Sequence, residues 1–146
     1  MKALIGAHAE SVLVHTVIGT AANFNGVTQG HGLLHGEEIV VFADADYQCV
    51  TKRPEATGVT WHVAMRPSKR WALDKQTKPG ALLDKAEQLK ASVRAKVEHP
   101  FRVIKCQFCF TKVRYKGLPK NTAQLMTLFT LSNLWMVRRQ LMGVRG

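Results

Sequence analysis

Two carboxylates that lie far apart in the chain are the residues best placed to do chemistry. Glu98 stands in a basic segment with a helical pattern, and no acidic residue follows it in the sequence. An isolated Glu of this kind is either half of a surface ion pair or a ligand of a metal ion. Its candidate partner is Asp44, which ends the apolar run 39–43. A shared metal site therefore requires that Asp44 and Glu98 meet in space.

The helix that would carry Glu98 is predicted from hydrophobic spacing. Apolar residues recur at steps of three and four over residues 81–97, which is typical of an amphipathic helix whose apolar stripe faces a core. The stripe consists of Leu82, Leu83, Ala86, Leu89, Val93 and Val97. In the same register, Arg94, Glu98 and Lys105 lie along one edge of the helix. Pro100 predicts a kink or break, with a second helical piece over residues 101–108.

The chain before this helix has the pattern of β-strands. Strands are predicted over residues 3–7, 13–19, 39–44 and 59–65. The first two form a hairpin that turns near Glu10. The third is continuously apolar, which is typical of a strand buried on both faces. In the fourth, Trp61 and Val63 share one face.

Two asparagines are predicted to begin helices. Asn25 is placed to cap a short helix that continues to about residue 34, and Asn121 is placed to cap the last helix. The uncharged run 121–137 within that last helix is too short and too polar to span a membrane, so we expect a buried helix.

The net charge of +11 is concentrated toward the end of the chain. Residues 99–146 hold nine basic groups and no acidic one, whereas residues 1–50 hold one Lys and five acids. This bias favours a polyanionic partner over a basic surface that binds nothing. The candidate DNA-binding residues lie in a basic loop over 66–80 and a basic turn over 112–117. They are Arg66, Lys69, Arg70, Lys112, Arg114 and Lys116. Trp71, in the first of these segments, either stacks on a base or anchors the loop, and anchoring is the commoner role.

The cysteines and histidines give weaker signals. Three cysteines do not make a disulfide framework in a chain of 146 residues, which favours a reducing compartment. Cys106 and Cys109 have zinc-ligand spacing but lack two further ligands, so we interpret them as ordinary side chains. His31 and His35 are four residues apart, but Gly32 occupies the place where a metalloprotease helix needs Glu.

Several segments together point to a known family. The spacing Arg94-x3-Glu98-x6-Lys105 is similar to a Tyr-x2-Arg-x3-Glu-x6-Lys signature, and residues 41–48, with Asp44, are similar to an Asp-Ala-Gly-Tyr segment. Residues 14–23 and 112–121 fit the same pattern. These segments resemble bacterial insertion-sequence transposases of the DDE type, in the group typified by insertion sequence five. The likeness spans nearly all of the chain.

The resemblance implies an α/β fold of the ribonuclease-H-like class, with a mixed sheet flanked by helices. It implies metal-dependent cleavage and transfer of DNA strands, with two Mg²⁺ (or Mn²⁺) ions held by Asp, Asp and Glu. Asp44 and Glu98 would be the catalytic and metal-binding acids, while Arg94 and Lys105 would orient Glu98 or hold a DNA phosphate. DNA is the implied partner, with a possible homodimer on the transposon ends. A small-molecule substrate and a membrane are not expected, and the implied location is the bacterial cytoplasm, at the nucleoid.

The sequence also departs from the family pattern. No Asp precedes Asp44, so the family's first catalytic Asp is absent, and Ala91 replaces the signature Tyr. We therefore expect residues 1–146 to form a single, partial ribonuclease-H-like catalytic domain without its first catalytic strand. Such a truncated copy would be inactive alone. The alternatives are a basic nucleic-acid-binding fragment without catalysis, in which Glu98 only pairs with Arg94, and a remnant that does neither.

Overall fold

The structure is a computed structural model that describes residues 1–56 and 58–143, and it divides the chain into two compact units. The hairpin unit comprises Met1–Phe24 and Val97–Gly146, and the central unit comprises Asn25–Lys96. The prediction that residues 1–146 are one partial domain stays a prediction.

The described elements are four strands, three α-helices and five short 3₁₀ turns. The strands are β1 (Lys2–Ala7), β2 (Val14–Thr20), β3 (Val40–Ala43) and β4 (Thr60–Val63). The α-helices are α1 (Pro67–Trp71), α2 (Lys78–Cys106) and α3 (Leu118–Leu141). The 3₁₀ turns are Gly26–Gln29, His31–Leu33, Ala45–Tyr47, Val50–Lys52 and Pro54–Ala56. No helix within the described part of the chain combines the length and the apolar character needed to cross a bilayer.

The strands form two separate two-stranded sheets. β1 and β2 pair antiparallel in the hairpin unit, and β3 and β4 pair parallel in the central unit. The fold is therefore mixed α/β, as predicted, and the hairpin that turns near Glu10 is confirmed. The single mixed sheet of a ribonuclease-H-like fold is not what the described strands form, and that finer class stays a prediction.

The core of the hairpin unit lies between β2, α3 and the C-terminal part of α2. Its buried residues are Val14, Ile104, Leu125 and Phe129, and Phe101 packs edge-on against the ring of Phe129 with ring centroids 5.2 Å apart. The side-chain amide of Asn133 on α3 bonds both backbone groups of Val14, accepting from its N–H at 2.9 Å and donating to its carbonyl at 2.7 Å. This contact holds the start of β2 against α3.

The last helix begins earlier than the predicted cap. α3 begins at Leu118, so Asn121 lies inside its first turn rather than before it. The buried Asn121 amide accepts from the N–H of Tyr115 at 3.2 Å and donates to the carbonyls of Tyr115 and Gly117 at 2.7 and 2.8 Å. Asn121 therefore secures the turn that leads into α3.

The central unit has a small core of its own beside β3 and β4. Val27 and Val50 are buried, and Tyr47, Trp61 and Val63 pack against them. The shared face of Trp61 and Val63 is thus confirmed. Asn25 is a cap, as predicted, and accepts from the N–H of Val27 at 3.2 Å. The helix that it was predicted to begin is instead two 3₁₀ turns, Gly26–Gln29 and His31–Leu33.

The prediction that the third strand is buried on both faces is wrong. Val40 and Phe42 are 44% and 37% exposed, and burial alternates along β3. The described residues that pack beside the strand pair lie on the side of Val27 and Val50, so the other face of β3 meets solvent.

Helix α2 differs from its prediction in two ways. It continues through Pro100, which is fully buried, so the predicted break is wrong. The inward orientation of the apolar stripe is also wrong: Leu82 and Leu89 are 68% and 62% exposed, whereas Asp84 and Glu87 are each only 6% exposed. The two carboxylates can be buried because partner groups elsewhere in the central unit bind them.

Candidate functional site

Asp44 lies at the C-terminal end of a parallel strand, the usual location of functional groups in α/β sheets. It follows β3 directly and begins the 3₁₀ turn Ala45–Tyr47. Its Oδ1 accepts hydrogen bonds from the N–H of Ala45 at 2.6 Å and from Nη1 of Arg94 at 2.7 Å. The Asp44 side chain is half exposed, so it offers an oriented and accessible carboxylate.

Arg94 has a partner that the sequence did not predict. We expected it to orient Glu98 or to hold a phosphate, and the structure shows that it binds Asp44, fifty residues earlier in the chain. Both residues belong to the central unit. The bond thus joins the strand-end acid to the helix that carries the Arg94-x3-Glu98 spacing.

Tyr47 lies close to the acids at the end of β3. It packs against the core of the central unit, and burial raises the pKa of its hydroxyl. The Asp46 and Asp44 carboxylates raise that pKa further, because a second negative charge near them is unfavourable. The end of β3 therefore carries two carboxylates, of which Asp44 is already bound to Arg94.

Glu98 and Lys105 lie where the predicted helix edge places them. Both are exposed on α2 and line an open depression of about 400 Å³. Phe101, Arg102 and Cys106 complete the residues that line it. The combination of one carboxylate with two cations suits a metal-bound or free phosphate group. Arg102 was missed in the sequence, although its position four residues after Glu98 puts it on the same helix face.

The donor types at the two acids fit a hard divalent cation. Asp44 and Glu98 each present an accessible carboxylate, the ligand that Mg²⁺ and Mn²⁺ take. Asp44 belongs to the central unit and Glu98 to the hairpin unit.

The six predicted DNA-binding residues fall into two groups. Arg66, Lys69, Lys112, Arg114 and Lys116 are exposed, as a phosphate contact requires. Arg70 differs, because its Nε donates to Oδ1 of Asp84 at 2.8 Å and the pair is partly buried. Arg70 therefore forms a structural ion pair, and its role as a DNA contact stays a prediction.

The structure contradicts the interpretation of Trp71 as an anchor of the basic loop. It ends helix α1 and is 82% exposed, so its ring does not fix the loop by packing. The loop is instead fixed by Asp84, which also accepts from Nε2 of Gln88 at 3.0 Å and lies 3.5 Å from Nζ of Lys75.

The weaker sequence signals find ordinary roles. Cys49, Cys106 and Cys109 are free and exposed thiols. The carboxylate of Glu38 accepts hydrogen bonds from the backbone N–H groups of His35 and Gly36, each at 2.9 Å. Burial raises the pKa of Glu38, but these hydrogen bonds outweigh burial and lower the pKa below its ordinary value.

Comparison with known proteins places these features in a family. A family model described as "Transposase DDE domain" matches residues 1–134. No solved structure matches the chain.

Proposed function

We propose that this chain, which belongs to the Transposase DDE domain family, acts on DNA through a metal site that includes Asp44 and Glu98. Membership of the family implies transposase function. The finer assignment we propose is the group typified by insertion sequence five, with metal-dependent cleavage and transfer of DNA strands in the bacterial cytoplasm.

The hydrogen bond from Arg94 to Asp44 is the observation that supports the metal site best. It connects the acid at the end of β3 to the motif helix, on which Glu98 follows Arg94 by four residues. A single positive charge bound to one oxygen of Asp44 holds the carboxylate in a fixed direction without removing it from solvent.

In this proposal Asp44 and Glu98 hold Mg²⁺ or Mn²⁺. The ion would stabilise the attacking and leaving oxygens of an in-line displacement at phosphorus. Arg94 positions Asp44, and Arg102 and Lys105, which line one depression with Glu98, bind the DNA phosphate nearby. The exposed cations Lys112, Arg114 and Lys116 bind the DNA backbone away from the reacting group.

A complete DDE site needs a further Asp. Residues 1–43 contain none, so we propose that another segment or another protein supplies that acid. On this basis residues 1–146 bind metal and DNA but do not catalyse strand transfer alone. A homodimer on the transposon ends is the arrangement we expect for the active state.

Titration with Mn²⁺, followed by the electron paramagnetic resonance of the free ion, tests the metal site. Wild-type protein is expected to bind Mn²⁺, and Asp44→Ala and Glu98→Gln are expected to weaken binding strongly. Asp74→Asn removes an exposed acid elsewhere in the central unit and serves as the matched control. Equal binding by wild type and both site variants contradicts the proposal.

The alternative is a nucleic-acid-binding fragment without catalysis. The exposed basic turn at Lys112, Arg114 and Lys116 favours it, because this turn needs no metal to bind phosphate. Filter binding to DNA across a salt series, with and without Mg²⁺, separates the two functions. A DNA affinity that changes neither with Mg²⁺ nor in the Asp44→Ala variant supports the alternative.

A further inference from the structure

Trp71 is exposed in a way that the stability of the fold does not explain. Its side chain is 82% exposed at the end of α1, the largest exposed fraction among the exposed large hydrophobic residues described. An indole ring exposed to water does not gain the free energy that burial of a Trp side chain usually contributes. A ligand that covers the ring would provide this free energy on binding.

The segment around Trp71 is held in place from both sides by one carboxylate. Asp84 on α2 binds Arg70, immediately before Trp71, at 2.8 Å, and lies 3.5 Å from Lys75, four residues after it. The hydrogen bond from Arg70 lowers the pKa of Asp84; burial opposes this shift, and the charge of Lys75 adds to it. Asp84 therefore stays ionised at neutral pH, and the exposed ring is carried by a fixed segment.

The loop that follows is also closed tightly. A Cβ atom built at Gly80 would come within 1.9 Å of the carbonyl oxygen of Asp74, so the loop backbone lies directly on the start of α2. Thr77 strengthens this closure, since its hydroxyl donates to the same carbonyl at 2.9 Å. Trp71 thus projects from a preorganised support, which reduces the entropy lost when a ligand binds.

The charge around the ring selects the class of ligand. Residues 66–78 contain five basic residues and one acidic residue, and Arg66, Lys69 and Lys78 are exposed. A flat aromatic surface among cations matches a nucleobase with its phosphates, because bases stack on aromatic rings while Lys and Arg bind the backbone. In a duplex the faces of a base are covered by its neighbours, so the base must be unpaired.

We infer that Trp71 is a stacking platform for an unpaired base of DNA, with Arg66 and Lys69 binding adjacent phosphates. This inference rests on the proposed DNA function and adds a binding site for single-stranded DNA to it. In this inference the exposed ring of Trp71 positions a DNA strand that has separated from its complement.

The test is fluorescence anisotropy with a short labelled single strand and a fully paired duplex of the same sequence. Trp71→Ala is expected to weaken single-strand binding about 5-fold to 150-fold, the equivalent of one base–aromatic stack. Trp71→Phe keeps a ring and is expected to retain most of the affinity. The salt dependence of Trp71→Ala binding stays that of wild type, because no phosphate contact is lost, whereas Lys69→Ala lowers the slope.

Two controls make the result specific. Leu89→Ala shortens another exposed apolar side chain of the central unit and is expected to leave binding unchanged. Quenching of tryptophan emission by an unlabelled single strand is expected in wild type and lost in Trp71→Phe while anisotropy still reports binding. An equal effect of Trp71→Ala on single strand and duplex, or none on either, overturns the inference and leaves the proposed function intact. Failure of the wild-type protein to bind any DNA overturns both.

Discussion

Replacement of Glu87 by Ala is expected to destabilise the central unit, because this buried acid joins α2 to the end of β4. Oε2 of Glu87 accepts the N–H of Met65 at 2.7 Å, and Oε1 accepts from Nζ of Lys90 at 2.7 Å. The same Nζ donates to the carbonyl of Val63 at 3.2 Å. Glu87 and Lys90 together therefore hold the strand end against the helix.

The magnitude follows from the burial of each group. Without the carboxylate, the N–H of Met65 loses its acceptor, which costs about 1–3 kcal/mol where water does not replace it. The Lys90 side chain is 26% exposed and can partly rehydrate. Its lost partner therefore costs about 1 kcal/mol rather than the 3–5 kcal/mol of a fully buried pair. We expect a loss of about 2–4 kcal/mol for Glu87→Ala and about 1 kcal/mol for Glu87→Gln, which keeps an acceptor.

Urea denaturation followed by circular dichroism measures this difference. For a slope near 2 kcal/mol per molar, the urea midpoint of Glu87→Ala falls by about 1–2 M relative to wild type. Glu10→Ala, in the exposed hairpin turn, is the control and is expected to stay within about 0.5 kcal/mol of wild type. If Glu87→Ala and the control unfold at the same urea concentration, the bonds to Met65 and Lys90 contribute nothing to stability and the reasoning is refuted.

The same acid gives the stability a defined pH dependence. Burial raises the pKa of Glu87, but the hydrogen bonds from Lys90 and Met65 outweigh burial and bring the pKa below its ordinary value of 4.5. A lowered pKa means that the folded state binds the proton more weakly than the unfolded state. The contribution of Glu87 is thus complete above pH 4.5 and is lost as the pH falls below it. The gap between wild type and Glu87→Gln is expected to shrink over that range.

Two further predictions test the packing. Leu89→Lys is expected to change stability by no more than about 0.5 kcal/mol because Leu89 is exposed, whereas Phe129→Ala is expected to cost about 3–5 kcal/mol; comparable losses in urea unfolding would show that the apolar face of α2 is covered. Gly80→Ala is expected to cost about 1–3 kcal/mol, since the new methyl group would meet the carbonyl of Asp74, and an unchanged midpoint would show that the loop yields freely.

The sequence predicted those features that depend on neighbours in the chain. Alternating apolar residues and a polar turn were enough to locate the β1–β2 hairpin, and Asn25 was found because a cap acts on an N–H two residues away. Trp61 and Val63 were assigned to one face because side chains alternate along a strand.

The sequence failed where distant partners decide. The apolar spacing of α2 predicted an inward stripe, yet Asp84 and Glu87 are buried because Arg70 and the end of β4 supply their partners. No local sequence pattern predicts that the side chain of Arg70 lies beside Asp84 on α2. The candidate site shows the same limit: the apolar run located Asp44 at a strand end, but its bond to Arg94 is visible only in the folded chain.

The exposed face of β3 has a practical consequence. Val40 and Phe42 present apolar side chains to water on one face of a parallel pair of strands. Concentrated preparations are therefore expected to self-associate through this apolar face, and a charged residue in place of Val40 is the simplest way to reduce that self-association.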